Sequence, residues 1–291
     1  MTQKEKHMQA LNSFAQRVKK DPNVIALLLF GSLAYGTVGR KSDIGVTLIV
    51  RDGSISKEWG FSADEDGIYV SCHRLREVSK FKKDLQEERG GYNHGLLGSG
   101  QLVFSKDEAL IELHEATRKI GDADAPKAFA AKIGELYNWM WKAEKHITLI
   151  DDPLYAQRFL QLGAAIVAEM ELIRHRENPN REAIRRAREL NPKLMHEIYT
   201  VPSTTAMTAQ DVRHTLNVLD EYLMEHLDWW SRHILRALRD GEAKTLNWGV
   251  GTYLEDKGVI MRSTLPRRVF KNSKLTIDEV AYVHIKENEN A

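Results

Sequence analysis

The sequence predicts an α+β protein in which a mixed β-sheet with flanking helices is followed by a helical bundle. Two observations support this prediction. Before residue 121 the apolar residues form short runs bounded by turn residues, whereas after residue 126 they recur with the period of an α-helix. We expect a sheet domain at residues 1–122, a bundle at 126–240 and a C-terminal extension of unknown structure at 241–291.

Three segments of the sheet domain have the composition of strands. Val24–Phe30 is an unbroken apolar run between a turn and Gly31, which predicts a strand buried on both faces. Further strands are predicted at 44–50 and 67–75, and an amphipathic helix at about 4–18. The three consecutive acids before the last strand predict a solvated turn: Asp64, Glu65 and Asp66.

Three segments of the second half place apolar residues on one helical face. They run from Phe129 to Ile147, from Phe159 to Ile173 and from Val212 to Ile234. The sequence therefore predicts a bundle of long helices.

The composition is that of a folded protein and excludes several function classes. Of the 291 residues, 42% are hydrophobic and 29% charged, and the formal net charge of +1 argues against a nucleic-acid partner. The single cysteine, Cys72, excludes an internal disulfide and fits a reducing compartment. No apolar run approaches the roughly 20 residues of a membrane span, and the N-terminus lacks a signal core. We therefore expect a cytoplasmic protein without a membrane partner.

Two segments leave more than one interpretation open. A glycine cluster between Arg89 and Phe104 lacks the Gly-Lys-Ser/Thr ending of a P-loop, so it predicts a flexible loop. Between Lys257 and Ile277 there are six basic residues and no acidic residue. This basic run is either a solvated surface or a contact for the phosphates of a nucleotide or RNA.

One local pattern carries chemical information: Gly31-Ser32 directly after the first strand, and Ser42-Asp43-Ile44 at the start of the second. It resembles the signature of the DNA polymerase β-like nucleotidyltransferase superfamily. The helical second half is similar to the bundle of its antibiotic-modifying branch, the kanamycin and lincosamide nucleotidyltransferases. The resemblance implies that Gly31 and Ser32 bind nucleotide phosphates and that Asp43 is a catalytic ligand of Mg²⁺ beside an NTP.

The sequence departs from this family at two of its three metal-binding carboxylates. The family has a second acid two residues after the first, where this chain has Gly45. The third acid is expected on the strand at 67–75, which contains none and offers Ser71 or His73 instead. Neither residue replaces a carboxylate as a ligand of the hard cation Mg²⁺.

In the antibiotic nucleotidyltransferases a carboxylate of the helical domain serves as the general base for the acceptor hydroxyl. The resemblance therefore makes Glu169 a candidate catalytic base, with Glu171 as an alternative on the same predicted helix. The ordinary interpretation of both is a solvated helix charge. The resemblance to this branch also suggests that the chain forms a homodimer.

Two functions follow. The first is a nucleotidyltransferase-like protein with lost or much reduced activity, which binds a nucleotide or small molecule as a regulator or sensor. The alternative is active Mg²⁺-dependent transfer of a nucleoside monophosphate from an NTP to a hydroxyl of a small molecule such as an antibiotic. The missing carboxylates favour the first.

Overall fold

The computed structural model describes residues 1–87, 98–239 and 243–285. It divides into two compact units. The first comprises Met1–Gly121 and Arg176–Arg181, and the second comprises Asp122–His175 and Glu182–Ala291. The fold class is α+β, as the sequence predicts. In the described part of the chain, no helix is both long enough and apolar enough to span a membrane.

The first unit is built on a mixed sheet. Its five described strands lie in the order β3-β4-β2-β1-β5, with β2 and β4 parallel and the other neighbours antiparallel. The elements are, in chain order, α1 (Gln3–Lys19), β1 (Val24–Phe30), β2 (Ile44–Val50), β3 (Phe61–Glu65), β4 (Ile68–Glu77), α2 (Val78–Glu87), β5 (Gln101–Ser105) and α3 (Glu108–Thr117).

The interior strand β1 is buried on both faces, and its successive side chains, which point in opposite directions, enter two core clusters. Leu27 and Leu29 belong to the core cluster that includes Phe14 of α1. Leu28 belongs to a second cluster, which includes Phe81 of α2. The two-sided burial predicted from the apolar run is therefore confirmed.

The prediction of a solvated turn before β4 holds for two of the three acids: Asp64 and Asp66 are exposed, and Asp66 lies in the turn. It is wrong for Glu65. Residues 61–65 form β3, an antiparallel partner of β4. Within it, Glu65 is buried, forms an ion pair with Arg17 of α1 and accepts a hydrogen bond from Ser13. The pairing partner on α1 is distant in sequence, and local composition does not show it.

The second unit consists of helices and a C-terminal hairpin. Its elements are α4 (Ala125–Lys145), a π-helical turn (His146–Ile150), α5 (Pro153–Arg174), α6 (Ala183–Leu190), α7 (Pro192–Met195), a second π-helical turn (His196–Thr200), α8 (Val201–Thr204), α9 (Ala209–Glu225), α10 (Leu227–Leu238), α11 (Trp248–Asp256), β6 (Ile260–Arg268) and β7 (Thr276–His284).

The helical core agrees with the predicted apolar faces. Phe129, Ile133 and Leu136 of α4 are buried, and α5 is buried on most of its circumference. The predicted helix from Val212 to Ile234 is interrupted at His226, which separates α9 from α10. Across this break the indole nitrogen of Trp230 donates to the carbonyl of Leu223 at 3.0 Å, so the apolar face continues although the helix does not.

The C-terminal extension forms α11 and the antiparallel hairpin β6–β7. Three cations of the basic run are paired: Lys257 with Asp220, Arg262 with Glu255 and Arg267 with Glu279. Of the predicted glycine loop, the glycines at 90, 91 and 95 lie outside the described residues. The loop prediction is wrong for its C-terminal end, where Gly98 and Gly100 are buried and Gln101–Ser105 forms β5.

Candidate functional site

The segment after β1 is a series of turns in which Gly31 has a positive φ of 80°. The amide of Tyr35 donates to the carbonyl of Gly31 at 3.1 Å, and the amide of Thr37 donates to that of Ser32 at 2.9 Å. Glycine is favoured here by its backbone conformation, since an added β-carbon would meet nothing within 4 Å. Ser32 is half-buried, and its hydroxyl has no hydrogen-bond partner among the described residues.

Asp43 immediately precedes β2, and its side chain is exposed. The preceding residue is held in place: buried His7 of α1 donates from Nε2 to the Ser42 carbonyl at 2.9 Å. The Ser42 hydroxyl accepts a hydrogen bond from the Gly39 amide at 2.9 Å. The Asp43 carboxylate itself has no ion pair or hydrogen bond with any part of the chain that the structure describes. It is therefore free to meet a ligand.

Gly45 lies opposite Phe30 of β1 on one side and Ser71 of β4 on the other. An added β-carbon at position 45 would lie 2.9 Å from ring carbon Cε2 of Phe30 and 3.2 Å from its carbonyl oxygen. Real β-carbons do not approach other atoms this closely, so the Phe30 ring occupies the space of a side chain at 45. The Phe30 ring also packs with the ring of His73 in a T-shaped arrangement, at 4.9 Å between ring centroids and an interplanar angle of 71°.

Strand β4 brings no acid to this place. Ser71 is directly opposite Gly45, and His73 is the extra residue of a bulge between the paired residues Cys72 and Arg74. Over the described ranges, no group of three or more His, Cys, Asp or Glu side chains is arranged to hold a metal ion. The residues around Asp43 therefore do not fit a two-metal centre, because that centre requires several carboxylates.

The candidate bases of α5 are both engaged in ion pairs. Glu169 is paired with Lys132 of α4. Glu171 is fully buried and accepts two hydrogen bonds from Arg174, at 3.0 Å from Nε and 3.1 Å from Nη2. These hydrogen bonds from Arg174 to the carboxylate raise the pKa of the guanidinium. A catalytic role for Glu169 stays a prediction, whereas Glu171 has the surroundings of a structural charge.

The second unit contains a cavity of about 280 Å³ between α4, α9 and α11, which the sequence does not predict. Its wall combines aromatic, charged and aliphatic side chains. The side chains that matter for its chemistry are Tyr137, Trp141, Glu144, Arg213, Asp220, Tyr253, Asp256 and Lys257.

Two tyrosine–aspartate pairs line this cavity. Tyr253 donates to Asp220 at 3.1 Å, and Tyr137 donates to Asp256. Burial, followed by the adjacent carboxylate, raises the pKa of each phenol well above its ordinary value. Both tyrosines are therefore neutral hydrogen-bond donors at physiological pH.

One sequence signal could have pointed to this cavity. Tyr137, Trp141 and Glu144 follow each other at helical spacing, beside the apolar stripe of α4 that forms the core. Of the two tryptophans next to Met140, Trp139 stacks on Phe159, while Trp141 is 46% exposed at the cavity. The signal is the combination of two aromatic residues and an acid on one helix face outside the core stripe, because a single exposed aromatic residue is ordinary.

Comparison with known proteins bears on the fold. No family model and no curated protein sequence matches this chain. Among solved structures, it is similar to a nucleotidyltransferase-like protein from Exiguobacterium sibiricum 255-15, with a TM-score of 0.59 and 13% sequence identity. The match covers 95% of this chain and 99% of the other, so the likeness extends over both units. The chain therefore has a nucleotidyltransferase-like fold.

Proposed function

We propose that this chain binds a nucleotide or small molecule as a regulator or sensor and has lost most or all nucleotidyl-transfer activity. The observation that supports the loss is the Phe30 ring beside Gly45. An acid at position 45 would be a metal ligand, but the ring fills the space of its side chain. Asp43 is then a single carboxylate, and a single carboxylate does not hold two Mg²⁺ ions close to each other.

The binding part of the proposal rests on the turn after β1. Gly31, with its positive φ, begins a turn at the end of the buried interior strand β1, and the Ser32 hydroxyl has no protein partner among the described residues. Backbone amides and a free hydroxyl at such a turn suit phosphate oxygens. We assign the phosphate contacts of a bound nucleotide to these two residues.

The test is calorimetric titration of ATP, GTP, CTP and UTP, each with and without Mg²⁺. We expect binding that does not need the metal. Ser32→Ala should weaken it roughly fivefold through the loss of one hydrogen bond, about 1 kcal/mol. Asp43→Asn should not weaken it. Asp66→Asn is the matched control, because Asp66 is an exposed acid in the same unit whose φ of 55° asparagine tolerates.

An active transferase would give the opposite result in this titration. Nucleotide binding that requires Mg²⁺, is lost in Asp43→Asn and is accompanied by release of pyrophosphate would establish the active transferase. Glu169→Gln would then be examined for lower turnover with retained substrate binding. If no nucleotide binds under either condition, the nucleotide part of the proposal is wrong.

A further inference from the structure

The cavity of the second unit contains two tyrosine–aspartate pairs, and the first of them already binds the ammonium group of a lysine side chain. Tyr253 donates to Asp220, and Nζ of Lys257 lies 2.7 Å from the Asp220 carboxylate. The same Nζ lies 5.4 Å from the centroid of the Tyr253 ring. A carboxylate and an aromatic face together stabilise a cation more than either does alone.

The second pair forms no ion pair with a cation of the described residues. Tyr137 donates to Asp256, and the Tyr137 ring lies 5.9 Å from the Tyr253 ring at an angle of 73°. Within the described ranges, the Asp256 carboxylate forms no ion pair, and the neighbouring Arg262 is engaged by Glu255. Asp256 is exposed, so a molecule from solvent can reach it.

The charges around the second pair are mainly negative. Glu144 also lines the cavity, and its carboxylate has no partner among the residues that the structure describes. The negative charges of Asp256, Glu144 and Glu255 all contribute to the raised pKa of the Tyr137 hydroxyl. With Lys257 neutralised by Asp220, the remaining cavity charges are Glu144, Asp256 and Arg213, which sum to minus one.

The size of the cavity limits the ligand. A volume of about 280 Å³ corresponds to roughly nine water molecules. It therefore holds a compact molecule with few non-hydrogen atoms. Met140, Ile147 and Leu216 give the wall an apolar part, and Trp141 adds an aromatic one.

We propose that this cavity binds a small organic amine whose ammonium group lies between the Asp256 carboxylate and the Tyr137 ring. The bound ammonium group then has the same surroundings as Nζ of Lys257, which lies between the Asp220 carboxylate and the Tyr253 ring. The apolar body of the amine packs on Trp141 and the aliphatic wall. This proposal goes beyond the proposed function and does not depend on it, because none of the cavity residues belongs to the segments around Gly31 and Asp43.

The probes are benzylamine, benzyltrimethylammonium and the uncharged benzyl alcohol. Their binding to the full chain is measured by calorimetry and by saturation-transfer NMR. We expect both cations to bind at least roughly tenfold more tightly than the alcohol, since an ammonium on a carboxylate and an aromatic face gains more than a hydroxyl. Equal affinity of the amine and the alcohol would overturn the proposal, as would the absence of amine binding at millimolar concentration.

Variants locate the bound amine. Asp256→Asn keeps the acceptor for Tyr137 and removes the charge, so benzylamine affinity should fall about tenfold. Asp278→Asn is the matched control, an exposed acid on β7 that does not line the cavity. Unchanged amine affinity in Asp256→Asn would overturn the assignment. ATP titration of the same variant should match the wild type, which separates this test from that of the nucleotide site.

Discussion

The Phe30 ring lies against the backbone of Gly45, its partner across β1 and β2, so closely that a β-carbon at 45 would be 2.9 Å from ring carbon Cε2. Phe30 is itself only 5% exposed, and its ring packs against His73. The absence of an acid at position 45 is therefore coupled to the packing of a neighbouring strand. We therefore expect that a single substitution at 45 does not create a carboxylate site there.

The first prediction concerns this coupling. Gly45→Asp alone should lower the free energy of unfolding by about 1–3 kcal/mol, because it overpacks the space that Phe30 fills. In a Phe30→Ala background the same change should cost less, since the ring is gone. Urea denaturation of the four proteins of this double-mutant cycle gives the coupling energy.

Magnesium titration of the same four proteins adds a second readout. We expect an increase in Mg²⁺ affinity only where Gly45→Asp is combined with Phe30→Ala, because only then does the new carboxylate have room beside Asp43. Additive stabilities, or a rise in Mg²⁺ affinity in Gly45→Asp alone, would show that the ring does not block the position.

The second prediction concerns the backbone of Gly31. With φ at 80° and open space around its α-carbon, Gly31→Ala should destabilise the protein by about 1–2 kcal/mol through backbone strain alone. Gly31→Asn should cost less, because asparagine adopts the left-handed region more readily. Thermal or urea unfolding measures both. Equal losses for the two variants would count against a strain mechanism.

The third prediction separates the two glutamates of α5. Glu171→Gln should cost about 1.5–3 kcal/mol, because it weakens hydrogen bonds between Arg174 and a fully buried carboxylate. Glu169→Gln should cost less than about 1 kcal/mol, because its ion pair with Lys132 is partly solvated. Unfolding in urea compares them directly. A larger loss for Glu169→Gln would reverse the structural assignment.

The fourth prediction is a pH dependence at His226. Burial, and then the charge of Arg174, lowers the pKa of this imidazole in the folded protein. The unfolded state therefore binds the proton more readily, so the free energy of unfolding should fall as the pH falls from about 7 towards 5.

His226→Gln should make this slope shallower, because it removes the titrating group between Phe129 and Tyr222. The exposed His214, replaced by Gln, is the matched control. Stability curves that depend on pH equally in His226→Gln and in the wild type would remove His226 as a source of the effect.

The pattern of the sequence predicted β1, β2, β4 and the long helices, but not β3, β5 or the helices α2 and α3, which also contribute to the core. The apolar runs at 24–30 and 44–50 became β1 and β2 at the predicted bounds, because a strand buried on both faces leaves no polar position in its sequence. The helical periods likewise predicted α4 and α5. The break at His226 was missed because the apolar period continues through it.

The sequence by itself determined β1, β2, β4, the helical half and the residues that follow β1 and precede β2, because periodicity and turn composition are local properties. Only the tertiary structure decided that Phe30 lies across Gly45, that Glu65 is paired with Arg17, and that Tyr137 meets Asp256. Each of these contacts joins residues that are distant in sequence or lie on different elements. Their approach depends on strand register and helix packing, which the identity of neighbouring residues does not specify.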